Sequence, residues 1–142
     1  MKVLSLLQPW ATLVVIGAKK IECRTWKTDY RGIIIIHASG KKPKKSEQVF
    51  FEEDPFYRKY IESAEYLPYG ALIGKVELLN IYRTEWLLQN RDAMPFYKWE
   101  QELAFDDFSP KRYAWQLDNA EKFDYPLPIK GSLGLWEYNG LL

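Results

Sequence analysis

Short apolar runs alternate along the chain with breaks marked by proline, glycine and charge, and their spacing predicts the elements. Val3 to Leu6 reads as a short strand. Pro9 suits the first turn of a helix, where a missing N–H costs nothing, and Trp10 to Ile16 continues that helix to a glycine stop at Gly17. From Lys20 to Trp26 the pattern alternates. Ile21, Cys23 and Thr25 fall on one side of a strand, and Glu22, Arg24 and Trp26 on the other. Asp29 to Gly32 is a turn. The β-branched run Ile33 to Ile36, followed by His37 and Ala38, predicts a central strand buried on both faces.

The middle of the chain is more irregular. Lys41 to Lys45 reads as a loop, and Ser46 caps a helix to about Asp54, which Pro55 interrupts before a second helical piece to about Ala64. After a turn at Pro68 to Gly70, Ala71 to Tyr82 reads as a long strand with Gly74 as a bulge or close-approach point. Thr84 to Asn90 and Phe96 to Ala104 are helical pieces split by Pro95. Tyr113 to Leu117 is a strand that Asn119 to Phe123 extends, while Pro126 and Pro128 argue against a central strand there. Gly134 to Tyr138 is a last short strand. About six strands with helices in their connections, and no βαβ alternation with a phosphate-binding glycine loop, predict an α+β chain that is mainly β. The expected architecture is a small mixed or antiparallel β-barrel with peripheral helices, one domain over residues 1–142.

Charge changes this picture more than composition does. Residues 1–45 hold ten Lys/Arg and two acids, net +8, and residues 46–142 hold ten Lys/Arg and seventeen acids, net −7. Such asymmetry points to an anionic partner for the first third; the plainer reading is that folding mixes the halves and that Lys41, Lys42, Lys44 and Lys45 form a solvated loop. No apolar run approaches the ~20 residues of a membrane span, and the N-terminal apolar run is too short for a secretory signal. One cysteine, Cys23, allows no internal disulfide, so a cytoplasmic setting is expected. With one histidine and one cysteine no zinc site is expected. No cofactor is implied.

The chemistry concentrates at Gly17 to Arg24. Lys19, Glu22 and Arg24 crowd a strand mouth, which is costly to bury unless the charges pair or serve a ligand. Lys19 and Arg24 can contact a phosphate or a base edge; alternatively Arg24 pairs with Glu22 or Glu77 structurally. Glu22 can accept from an exocyclic amine or orient its cationic neighbours. Glu77, inside an apolar strand, needs a partner or a cleft. Gln8 opens the first helix, and Trp10, Trp26 and Trp115 are candidates for base stacking as well as for core.

The segment Leu4-Ser5-Leu6 through Gln8-Pro9-Trp10-Ala11, followed by Gly17-x-Lys19-x-x-Glu22-x-Arg24-x-Trp26, resembles the ASCH domain family of the PUA-like superfamily. Ile36-His37-Ala38, Gly70 to Leu78 with its acidic Glu77, and Tyr113-Ala114-Trp115 with Pro126 to Gly131 extend the likeness, which skips roughly 41–65 and 83–110. The resemblance implies a barrel with a cleft beside the first helix and a role in nucleic-acid binding. On that basis RNA or a modified nucleotide is expected in a cationic cleft formed by Gln8, Trp10, Lys19, Glu22, Arg24, Trp26, Glu77 and Trp115. It also implies an alternative, a small hydrolase acting on an acylated nucleoside or on RNA, with Lys19, Glu22 and Glu77 as catalytic groups. In relatives of that kind a lysine activates a threonine; here the threonine position holds Glu22, and Thr25 turns to the opposite face. A third reading is an adaptor whose aromatic insertion, around Phe50, Phe51, Phe56, Tyr57 and Tyr60, forms a protein-binding surface.

Overall fold

The computed structural model describes residues 1–142. Six strands, β1 (Lys2–Leu6), β2 (Ile21–Arg24), β3 (Gly32–Ala38), β4 (Ala71–Arg83), β5 (Tyr113–Pro128) and β6 (Leu135–Glu137), form one sheet in the order β2-β5-β4-β3-β1-β6. β1 and β3 are parallel, and every other neighbouring pair is antiparallel. The sheet is a curled half-barrel whose edges are β2 and β6. Helix α1 (Trp10–Val15) lies in its hollow, and Leu4, Ile34, Ile36, Val76, Trp115 and Leu117 from four strands form the core with its Val14 and Val15. Gly74 makes this contact possible. A Cβ there would stand 2.7 Å from Val15 Cβ and 2.5 Å from the Glu121 carbonyl oxygen, so the helix can rest on the strand only where a side chain is missing.

The strands are as expected in place and differ in detail. β3 is buried on both faces from Ile34 onward, with Ile34 and Ile36 toward α1 and Ile35 toward Val3 and Leu72 on the outer side; Ile33 is exposed. β5 runs on through Pro126 and Pro128 instead of stopping before them. It pairs with β2 only over Tyr113–Gln116, so its later half has one open edge. Leu127 pairs with Leu72, and the Ile129 N–H reaches the Gly70 carbonyl, so odd positions here face β4 and the two prolines place their missing N–H toward the open edge.

Five helices fill the connections. Besides α1 they are α2 (Lys45–Glu53), α3 (Pro55–Arg58), α4 (Thr84–Gln89) and α5 (Trp99–Phe105). α2 begins one residue before the expected cap. Its N-cap is Lys44, whose backbone N–H donates to Glu47. Phe51, Tyr57, Ile61 and Phe105 from the two insertions pack with Leu13 and Ala18 into a second core beside α1. The insertions therefore build one wall of the region next to the first helix.

Candidate functional site

Gly17 ends α1 in the left-handed region (φ +79°), where glycine alone is unstrained, and its N–H closes on the Val14 carbonyl at 3.1 Å. The chain then folds back, and the Lys19 N–H meets the Leu13 carbonyl at 3.0 Å. This reversal drives the Lys19 side chain inward, where it is 0 % exposed. Its ammonium donates to Glu22 Oε1 at 2.9 Å, to Asp106 Oδ2 at 2.5 Å and to the Ile21 carbonyl. All three of its protons are thereby engaged. Burial opposes the charge, but attraction from Glu22 and Asp106 outweighs it and holds the ammonium above its usual titration range. Burial likewise opposes ionisation of Glu22; Lys19 and then Arg24 win, and its carboxyl titrates below the usual range. In Asp106 the cost of burial prevails and the shift is upward.

Around this ion cluster the backbone of β2 is held by carboxylates from α5 and its C-terminal end. Asp106 also accepts the Cys23 N–H at 2.8 Å, and Glu102 accepts the N–H groups of Lys20 and Ile21 at 3.1–3.2 Å. Burial raises the Glu102 carboxyl to about 7 and pushes the Cys23 thiol up, which removes Cys23 as a thiolate nucleophile. Because Glu102 holds its proton more tightly folded than unfolded, its contribution falls as pH rises from about 4.5 to about 7 and is level above that. Glu102→Gln is therefore expected to leave stability nearly unchanged at pH 4 and to raise it relative to the parent chain above pH 7. Urea melts across that range check this, and a pH-independent difference would contradict it.

A cleft of about 420 Å³ opens over the cluster. Trp10, Tyr57 and Phe105 give it aromatic walls, and Glu22, Arg24, Asp106 and Asp107 its polar rim. Trp10 Nε1 donates to the Tyr57 hydroxyl at 3.2 Å, which fixes both rings. Arg24 donates through Nη1 to Glu22 Oε2 at 3.1 Å and lies 5.7 Å from the Trp26 ring; its other guanidinium N–H groups have no partner in the chain. The expected cationic cleft is thus corrected. Three carboxylates face one arginine, and Lys19 is sealed beneath them.

The other predicted residues divide. Glu22, Arg24 and Trp10 meet at this cleft, Lys19 lies sealed beneath it, and Trp26 stands beside it. Trp115 lies in the core, 0 % exposed, with its N–H on the Trp26 carbonyl and its ring edge-on to Trp26 at 4.9 Å. Gln8 is spent on the fold: its amide donates to the Pro68 carbonyl and accepts the Thr12 N–H, both at 2.9 Å. Glu77 is not part of the cleft. Its neighbours Val76 and Leu78 point into the core, so its carboxylate faces outward, where Asn119 donates to it at 2.9 Å. A hydrolase built on Lys19 and Glu77 has no geometric basis here, since the lysine is charged and saturated and the glutamate lies on the other side of the sheet. Asp106, which sequence reading did not single out, and Tyr57, expected only on an aromatic protein-binding surface, complete the cleft. Asp106 stands 87 positions from Lys19, and no local pattern connects the two.

Comparison with known proteins identifies the family and the fold. The mouse and human proteins named activating signal cointegrator 1 are each 32% identical to the chain over 138 residues, covering 94% of it. The match takes in 22% of each of those proteins, so the chain spans about a fifth of their length. Among solved structures, ASCH from Zymomonas mobilis superposes with a TM-score of 0.51 at 18% identity, covering 89% of this chain and 72% of that one, a likeness of fold. A mutant of the same Zymomonas mobilis protein matches at the same TM-score and identity, with 74% of that chain covered. The ASCH domain profile matches residues 4–126, and the chain belongs to the ASCH domain family.

Proposed function

We propose that the chain is a nucleic-acid-binding module that seats an exposed base of RNA in the cleft beside α1. The observation that carries this reading is the pairing of the half-buried Trp10 ring, backed by the buried Tyr57 and Phe105, with a rim of acceptors around the partly free guanidinium of Arg24. Unstacked bases are held by aromatic faces and read through their edges. Glu22, Asp106 and Asp107 can accept from an exocyclic amine, and Arg24 can donate to a ring nitrogen or carbonyl. A base that offers donors suits this rim; a bare phosphate is repelled by it. Membership in the ASCH domain family and the likeness to activating signal cointegrator 1 support the same reading.

The test is anisotropy of fluorescein-labelled single-stranded RNA 12-mers. The parent chain is expected to bind, with an affinity that falls as salt is raised. Arg24→Ala is expected to weaken binding about tenfold, equivalent to ~1.4 kcal/mol. The fold is retained, because Glu22 keeps Lys19 as its partner. Absence of binding to any RNA at low salt overturns the reading. Equal binding by Arg24→Ala removes the cleft from it.

A further inference from the structure

We propose that a second pocket, where β1 and β3 end against the Lys130–Leu133 loop, is a phosphate site, and that the adjoining lysine run carries neighbouring phosphates of the same nucleic-acid strand. This rests in part on the nucleic-acid reading above. The cleft leaves that reading incomplete, because its acidic rim cannot hold a polyanion.

The pocket has a volume of about 330 Å³, and its lining contains Ser5, His37, Ser39, Gly40, Lys130 and Ser132 but no carboxylate. The backbone N–H groups of Lys130, Gly131 and Ser132 have no acceptor in the chain, and Lys130 forms no ion pair. Successive free N–H groups beside an ammonium are the donor set that anions take. Immediately after Gly40 come Lys41, Lys42, Lys44 and Lys45, all exposed and none of them ion-paired. The basic stretch therefore begins at the pocket rim.

The floor of the pocket is tied together by hydrogen bonds. The Ile129 carbonyl can only accept, so His37 Nε2 carries the proton of that 2.8 Å hydrogen bond, and Nδ1 accepts from the Ser5 hydroxyl at 3.0 Å. Ser5 Oγ accepts in turn from Trp136 Nε1 at 3.1 Å. The chain from Trp136 through Ser5 and His37 to Ile129 is complete, and His37 acts as a positioning residue that anchors the loop. Gly131 completes the arrangement. A Cβ there would lie 2.5 Å from His37 Cε1 and 2.7 Å from Ser5 Oγ, so only glycine lets the loop backbone close onto this floor.

Two measurements on the full chain decide the matter. Inorganic phosphate is titrated against ¹⁵N-labelled protein; the amides of Gly40, Lys130, Gly131 and Ser132 are expected to shift together and saturate. If they stay in place while other amides move, or if nothing moves, the pocket assignment is overturned. In the RNA assay, Lys130→Glu is expected to weaken binding about tenfold and to lower the slope of log affinity against log salt by about 1. Lys41→Glu with Lys42→Glu is expected to lower it further. Parent-like affinity and slope in both variants overturn the strand path. A parent chain that binds no RNA sinks the nucleic-acid reading and the strand path with it, while the phosphate titration still judges the pocket on its own.

Discussion

Lys19→Met is expected to cost about 3–5 kcal/mol of folding stability, the range for removing one partner from a buried charged set. The substitution keeps the volume of the stem but leaves Glu22 and Asp106 facing each other with no ammonium between them. It also takes the donor from the Ile21 carbonyl. Arg24 cannot compensate, because it reaches only the far oxygen of Glu22. The triple variant Lys19→Met, Glu22→Gln, Asp106→Asn removes the uncompensated charge and is expected to recover most of the loss. Urea unfolding at pH 7 measures both. A loss below about 1 kcal/mol in the single variant would show that the cluster is open to water, contrary to its burial. A consequence for function follows. Lost binding or activity in a Lys19 variant reads out a damaged fold unless stability is measured alongside.

Trp115→Ala is expected to cost a similar amount, about 3–5 kcal/mol, as large-to-small changes of a buried tryptophan do. Trp115 stands at the centre of the hollow between α1 and the sheet, and its loss opens a cavity that backbone hydrogen bonding on β2 and β4 prevents from collapsing. The indole N–H also ties Trp26, and through it the stretch after β2, to the core. Urea unfolding again provides the measure, and Trp115→Phe, which keeps an aromatic ring, is expected to lose less than half as much. If Trp115→Ala were as stable as the parent chain yet failed to bind RNA, the residue would be a stacking surface and its buried placement would be wrong.

The strands and the first helix were legible because their signals are local. The β-branched run at Ile33 to Ile36 admits little besides a strand, and glycine after an apolar helical stretch marks the reversal at Gly17. Gly74 was legible as a point of close approach, although α1 as the element approaching it was not. The ion cluster was half legible. The spacing of Lys19, Glu22 and Arg24 announced charges that had to pair, but their main acidic partner lies at the end of α5, where Asp106-Asp107 looks like any exposed acidic pair. Glu77 misled for a physical reason. A carboxylate flanked by apolar residues suggests a buried cleft, yet strand alternation sends those neighbours inward and the carboxylate outward. The register shifts against β5 between Leu72 and Gly74 and between Lys75 and Glu77 also defeat counting along the strand. Pro126 and Pro128 argued rightly against a central strand, since β5 has one open edge there, but whether the strand runs on through them depends on which edge each proline nitrogen faces.

That edge has a consequence for solubility. From Asp118 onward β5 offers a foreign strand a long unpaired ladder, the kind of template on which chains add to one another and aggregate. Glu121, Lys122 and Asp124 surround it with charges of both signs, and each proline withholds a donor where an incoming strand would need one. The two residues that argue against a central strand are thus what keep this one from recruiting another.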